Sequence, residues 1–465
     1  MAEHPATHSA QSKHAHTASS ASSARPAPTP SRRSTPDYAV ASIRLWDHAV
    51  GAVAEGADGR VFFEYENAFR ESGLEISPVH LPLSRAGPVE FPELLRSTAF
   101  AGLPGVLADS LPDAFGNAVI RRYFETRGTP DAALSPVQKL LYIGSRAMGA
   151  LEFHPALEGR RNHAIEEALE VAHLVEEARR VIEGDTEVAV PEMMQVGASA
   201  GGARAKALIL WNREAHRVRS AFATPHAGDE HWMIKFDGVT EGLGGHQLRE
   251  DVRPGPFGRI EYAYSVMARA AGIEMTDTYL LHEREFAHFM MKRFDRKQAE
   301  DGEHRLHMHS LGGLHHVDYN IRGALSYEDY FRTIRLLGMG QPAIDQAFRR
   351  MVFNVAAVNQ DDHVKNLAFL MTPDGRWRLS PAYDMTFAKG GHWTRTHQMT
   401  VNGKDDAITR EDLLAVGAKM DVPKNGAEII AEVDAALDLW EREAKTVDVP
   451  REWIERISGF FRRFA

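Results

Sequence analysis

The chain contains no cysteine. That excludes disulfides, thiolate metal centres and a cysteine nucleophile, and it suits a reducing cytosol. Long apolar runs are missing too: none approaches the ~18–20 residues that would span a bilayer, so the chain reads as soluble and cytoplasmic. Positive charge is short, with 54 Lys and Arg against 64 Asp and Glu, a net charge of −10. Duplex binders neutralise phosphates with Lys and Arg, so DNA contact would fall to a local patch or to a partner. What is present, 465 residues of which 43% are hydrophobic, suffices for a sizeable core and two or three domains.

Residues 1–37 are rich in Ser, Ala, Thr, Pro and His without hydrophobic periodicity, which predicts a disordered tail. They lack the central apolar segment of a secretory signal. His4, His8, His14 and His16 have no orienting second shell in such a tract and read as solvated. Order is expected from Tyr38, with strands at Ala39–Trp46 and Val61–Tyr65 around a turn at Gly56–Arg60. A helical pattern follows within Leu103–Gly128, and an amphipathic helix is predicted over Asn162–Ile182. Strands at His231–Phe236 and Phe286–Phe294 flank a helix over Glu261–Gly272 that glycine ends. Helices then dominate, at Tyr327–Leu337, Gln341–Val358 and Asn425–Glu443. There is no internal repeat. A strand-rich half before a mainly helical half predicts an α+β, bilobal architecture.

The most specific feature is Asn359-Gln360-Asp361-Asp362-His363-Val364-Lys365-Asn366, between an apolar helix and the expected strand Leu367–Met371. A turn at Thr372–Gly375 leads through a second short strand to Pro381-Ala382-Tyr383-Asp384. Asp361 and Asn366 have the Asp-x-x-x-x-Asn spacing of the kinase catalytic loop, and Asp384 follows a hairpin as the metal-binding Asp of kinases does. Phosphoryl transfer needs a carboxylate within reach of the attacking hydroxyl. It also needs hard oxygen ligands for magnesium. Asp361 fits the first need, Asn366 and Asp384 the second. Asp362 can equally be a cap or face water.

Gly197–Lys206 carries adjacent glycines, Gly201 and Gly202, that let backbone N–H groups approach phosphate oxygens. Its spacing fits neither a dinucleotide fingerprint nor a Walker loop, and alone it reads more readily as a flexible hairpin turn, its place before the next strand being what raises its value. Lys235 lies inside the apolar strand Trp232–Phe236, as the phosphate-holding lysine of kinases does; alone it also fits the solvent face of an edge strand. Glu261 is a candidate partner for Lys235, or else an exposed first-turn residue favoured by the helix dipole. Met290–Arg296 falls where a kinase strand reaches the hinge between lobes. Phe294, taken alone, is a core residue.

Together these segments resemble the HipA family of toxin kinases over nearly all of the chain from Tyr38. The marks are SAGGARAK (Ser199–Lys206), MIKF (Met233–Phe236), KRFDR (Lys292–Arg296), QDDHVKN (Gln360–Asn366) and SPAYDM (Ser380–Met385). The resemblance implies a protein-kinase-like (HipA-type) fold: a β-rich N-terminal subdomain at 38–155, a kinase N-lobe region at 156–300 and a helical C-lobe at 301–465. It implies that Asp361 is catalytic, that Asn366 and Asp384 hold magnesium, and that Lys235 binds the phosphates of ATP. Gly201, Gly202, Ala203, Arg204, Ala205 and Lys206 would form the phosphate loop. Lys292, Arg293 and Phe294 would meet adenine, while His363, Lys365 and Tyr383 would complete the nucleotide site. Ser199 occupies the position at which family members autophosphorylate and so inactivate themselves. Arg204, Ala205 and Lys292 depart from residues common in relatives.

The implied function is a serine/threonine protein kinase acting as the toxin of a type II toxin–antitoxin module. Its implied partner is a helix-turn-helix antitoxin dimer (HipB-like), with operator DNA reached through that antitoxin. Its target by resemblance is a translation-related protein such as an aminoacyl-tRNA synthetase. Two rivals stand beside it: an ATP-binding, non-toxic corepressor that stabilises a DNA-bound antitoxin, and a small-molecule kinase on the same fold. Intact Asp361, Asn366, Asp384 and Lys235 count against a pure scaffold.

Overall fold

The structure is a computed structural model that describes residues 39–112, 116–118, 120, 134–155, 168–169, 204–221, 223–240, 255–299, 302–391 and 393–465. The expected tail at 1–37, its histidines, and the phosphate-loop positions Ser199, Gly201, Gly202 and Ala203 lie outside the described residues, as does the Arg204 side chain.

Strands β1 (Ala39–Leu45), β2 (His48–Glu55) and β3 (Val61–Tyr65) form a meander, and β4 (Leu151–His154) closes it in the order β3-β2-β1-β4. Alternation along β1 buries Ala41, Ile43 and Leu45, as period-two patterning requires of a sheet with one covered face. The core beneath gathers Phe63, Tyr65 and Phe69 from the meander and from α1 (Asn67–Arg70). It also takes Leu107 from α2 (Gly105–Ala108) and Leu140 from α3 (Pro136–Ile143).

A second sheet has the order β5-β7-β6-β8-β10-β9. Its strands are β5 (Ala168–Leu169), β6 (Arg204–Asn212), β7 (Arg217–Ser220), β8 (Asp229–Thr240), β9 (Thr278–Glu283) and β10 (Phe286–Lys292). Helix α4 (Phe257–Ala270) crosses its face, and the contact is close because Gly258 has no Cβ to meet the Ala287 carbonyl. The hairpin β11 (Arg296–Ala299) and β12 (Gly302–Arg305) follows, crossing the expected boundary at 300–301.

The remaining elements belong to the large helical lobe. A small sheet joins β13 (His307–Ser310), β14 (Ala368–Met371) and β15 (Trp377–Leu379). Around it pack α5 (Leu311–His315), α6 (Tyr327–Leu336), α7 (Gln341–Ala356), α8 (Arg410–Lys419), α9 (Ala427–Leu437), α10 (Trp440–Thr446) and α11 (Arg451–Ser458). Their core is centred on Tyr264, Tyr330, Phe348 and Trp440, all fully buried. Serine and threonine caps with reciprocal bonds start α6 at Ser326 and α8 at Thr409.

Two expected helices differ from the structure. Within Asn162–Ile182 the described pair Ala168–Leu169 is a strand, drawn into extended form by antiparallel pairing with Val218 and Arg219. The run Asn425–Glu443 is split: Lys424, Asn425 and Gly426 have positive φ, so α9 begins only at Ala427, and Asp438–Leu439 separates it from α10. Of the expected helical pattern through Phe115, Val119, Ile120 and Phe124, all but Ile120 lie outside the described residues.

One buried carboxylate ties the first sheet to the segment after β10. Asp295 is fully buried and accepts from Arg293 (2.6 Å), Arg296 (2.7 Å) and the Gly149 amide (2.7 Å). Burial opposes its ionisation, but the two guanidinium groups hold it well below the usual carboxylate range. Asp295→Ala leaves the buried Arg293 without its carboxylate and Arg296 with Glu303 alone (3.3 Å), and is expected to cost about 3–5 kcal/mol, measured by urea unfolding.

Candidate active site

The end of α7 sets the first half of the site. Val358 takes positive φ directly after the helix, a conformation that a β-branched residue adopts only when its surroundings impose it. The Asn359 amide then bonds back to the Asn354 carbonyl (2.9 Å), and the Gln360 amide bonds to the Ala388 carbonyl (2.9 Å). Asp362 is buried inside the lobe, accepting from Tyr327 Oη (2.9 Å) and the Gln398 amide (2.8 Å) and meeting His397 Nδ1 (2.9 Å). It is the anchor of the loop, neither a cap nor a solvent-facing residue. Asp361 is thereby turned the other way, and Trp393 Nε1 donates to its Oδ1 (3.0 Å). Asn366 Nδ2 donates to the Asp361 carbonyl (2.9 Å), fixing the two ends of the loop to each other.

The second half comes from three separate elements. Lys235 on β8 donates to Glu261 Oε1 on α4 (2.6 Å) and to Asp384 Oδ1 beyond β15. Glu261 is 1% exposed, so its role is pairing rather than capping at the surface. Asp384 also has positive φ, and its carbonyl accepts from Asn359 Nδ2 (3.3 Å), which joins it to the Asp361 loop. Burial works against ionisation of Asp384, but the ammonium groups of Lys235 and Lys206 outweigh it and hold the carboxyl well below the usual range. Asp361 moves the opposite way: burial raises it, the pull of His363 is not enough to offset this, and the like charge of Asp384 adds to the rise. Two carboxylates in one site are thus driven apart in acidity, one firmly charged and one closer to accepting a proton.

A cavity lies over Lys235, Glu261 and Asp384, and Asp361 is not among the residues that line it. Met233, Phe289, Met291 and Phe294 form an apolar wall, facing Met148, Met308 and Tyr383. Lys206, Lys235, Glu261 and Asp384 line its charged part, with Lys365 and Asn366 from the loop. An apolar slot beside convergent cations and a carboxylate can take a planar base and its phosphates. Among the described residues no cluster of three His, Asp or Glu could hold a metal unaided. Magnesium needs no such cage, since it binds one or two carboxylates plus substrate phosphates. Asp384 fits that requirement, and the Asn366 amide, with its nitrogen engaged, has its oxygen to offer.

Of the expected site residues, the cavity brings together Lys206, Lys235, Phe294, Lys365, Asn366, Tyr383 and Asp384. Side chains of Lys292 and Arg293 do not line it: Lys292 pairs with Glu230 on the neighbouring part of the sheet, β8, and Arg293 with Asp295 two residues along the chain. Ala205 is buried in β6, and His363 packs beside Tyr319 with ring centres 5.4 Å apart. Asp109, Met148, Met308 and Ser310 line the cavity but carried no sequence signal. They come from distant segments whose meeting only the fold determines.

The two-lobed α+β arrangement, with a strand lysine paired to a helix glutamate beside a catalytic-type loop, is a protein-kinase-like fold. Residues 198–440 match the family model of the HipA-like C-terminal domain, and residues 41–154 match that of the HipA N-terminal domain. The chain belongs to the HipA family. Among solved structures it is similar to the Shewanella oneidensis MR-1 toxin–antitoxin complex of HipA, HipB and operator DNA. That match has a TM-score of 0.61 and 16% identity, over 90% of this chain and 95% of that one. The Helicobacter pylori proinflammatory kinase CtkA matches at a TM-score of 0.30 and 11% identity, over 50% of this chain and 88% of that one, too distant to carry weight. No curated protein matches the sequence.

The raised pKa of Asp361 has a stability consequence. Unfolded, the carboxyl ionises at its ordinary lower value, so stability is lost as pH rises through the higher value of the folded state. Asp361→Asn, uncharged at every pH, is expected to raise the stability of the metal-free protein at neutral pH by roughly 0.5–2 kcal/mol. Thermal unfolding of both proteins in chelator checks this.

Proposed function

We propose that this chain is an ATP- and magnesium-dependent serine/threonine protein kinase, the toxin of a type II toxin–antitoxin module. The observation that carries this reading is the Lys235 ammonium held between Glu261 and Asp384, beside a loop that presents Asp361. Lys235 and Lys206 bind and orient the phosphates, and the apolar wall with Phe294 and Tyr383 holds the adenine. Lys292 and Arg293 can serve there only through their backbone. Asp384 and Asn366 would hold magnesium, which would supply neutralisation of the phosphate charge. Asp361 orients the hydroxyl of the protein substrate and takes its proton as that oxygen bonds to the γ-phosphorus. The bond to the β-phosphate oxygen breaks, and ADP leaves.

Ser199 is the self-phosphorylation position in this reading. A phosphoserine brings about −1.5 to −2 charges, which compete with nucleotide phosphates for the loop Gly201–Lys206. The partner is a HipB-like antitoxin that carries operator DNA, by analogy with the Shewanella complex, in which HipA is assembled with HipB and its operator. The net charge of −10 suits a chain that reaches DNA through such a partner. The target is a translation-related protein of the aminoacyl-tRNA synthetase class, and the ATP supply for the reaction places it in the cytoplasm.

The test is incubation with magnesium and labelled ATP, read by mass spectrometry for wild type, Asp361→Ala and Ser199→Ala. Label on Ser199 in the wild type is expected, absent in Ser199→Ala and reduced about 100-fold or more in Asp361→Ala. ATP binding without transfer would favour the corepressor reading. No ATP binding would contradict the kinase assignment.

A further inference from the structure

Asp109 follows α2 in the first subdomain, more than 250 residues ahead of the catalytic-type loop, yet its carboxylate lines the cavity. Three donors converge on it from the large lobe: His309 Nδ1 (2.7 Å), the Ser310 amide (2.7 Å) and Ser310 Oγ (2.7 Å). The approach is built into the backbones. A Cβ on Gly105 would overlap the Gly313 carbonyl, and a Cβ on Gly313 would overlap the Asp109 carboxylate. Burial opposes the charge on Asp109, but His309 and then Lys365 outweigh it and keep the group ionised.

From Ser310 the contact continues into the loop. Ser310 caps α5 by accepting from the Gly313 amide (2.9 Å). The Leu311 and Gly312 amides of α5 bond to the carbonyls of Leu367 (2.8 Å) and Val364 (3.1 Å). Those two carbonyls bracket Lys365 and Asn366, which both line the cavity. We propose that Asp109 is a positioning residue for the nucleotide site: through Ser310 and α5 it sets the Lys365–Asn366 segment, so that nucleotide binding depends on the docked first subdomain. This rests on the kinase reading above. Asparagine cannot replace the carboxylate, because its NH2 would face a donor.

The control is Ser77, which meets His309 Nε2 (3.0 Å) on the side of that ring away from Asp109 and is fully buried. Full-length wild type, Asp109→Asn and Ser77→Ala are titrated calorimetrically with magnesium and a non-hydrolysable ATP analogue, in the cold, after circular dichroism shows native folding. Asp109→Asn is expected to raise Kd about tenfold, the usual scale for losing a supporting contact behind a metal ligand. Ser77→Ala is expected to melt earlier with Kd unchanged. Unchanged affinity in Asp109→Asn, or an equal loss in both variants, overturns the proposal. Should Asp109→Asn fail to fold, Ser310→Ala replaces it, with an expected rise of about tenfold for the two hydrogen bonds its hydroxyl makes; no rise overturns the proposal. No binding by the wild type overturns the kinase reading, and the proposal with it.

Discussion

The ammonium of Lys235 lies where three elements meet, β8, α4 and the segment after β15, and each of the other two supplies it a carboxylate. A buried cation left without partners would be strongly unfavourable, so the two lobes are held in the one relation that brings Glu261 and Asp384 to it. Such a buried charge set is a weak source of net stability. Its effect is on geometry, since any displacement of α4 or of Asp384 leaves a charge uncompensated. The cavity beside them and the acidity of Asp384 both depend on that constraint.

The lobe beneath is built to make the loop rigid. Asp362 draws Tyr327, His397 and Gln398 around one carboxylate in the core, and Tyr264 donates to the Ala357 carbonyl (2.8 Å) just before the strained Val358. Positive φ at Val358 and at Asp384 brackets the region, and both conformations are sustained by the packing around them. Rigid support of this kind keeps reacting groups in register at small reorganisation cost.

Much of this was legible in the sequence because it is local. Period-two alternation marked β1 and β3, and the spacing of Asp361, Asn366 and Asp384 marked the loop and its returning hairpin. Lys235 was legible as a charge inside an apolar strand, but only the fold decides between a solvent-facing lysine and one paired with Glu261. Asp362 shows the reverse limit: beside Asp361 it reads as a surface acid, and its partners lie 35 and 36 residues away. Likewise Ala168–Leu169 carried a helical period that pairing with β7 overrode, and the turn of positive φ at Lys424–Gly426 cut a continuous helical pattern. Lys292 and Arg293, expected at the adenine, have side-chain directions decided instead by Glu230 and Asp295, which no local pattern announces. Asp109 gave no local signal at all.

We propose that Asp384, held charged by Lys235, binds the magnesium that accompanies the nucleotide. Calorimetric titration of ATP into wild type and Asp384→Asn, each with and without magnesium, tests it most directly. Wild-type affinity is expected to rise with magnesium, and this gain to disappear in Asp384→Asn. Equal affinity in all four titrations would contradict it.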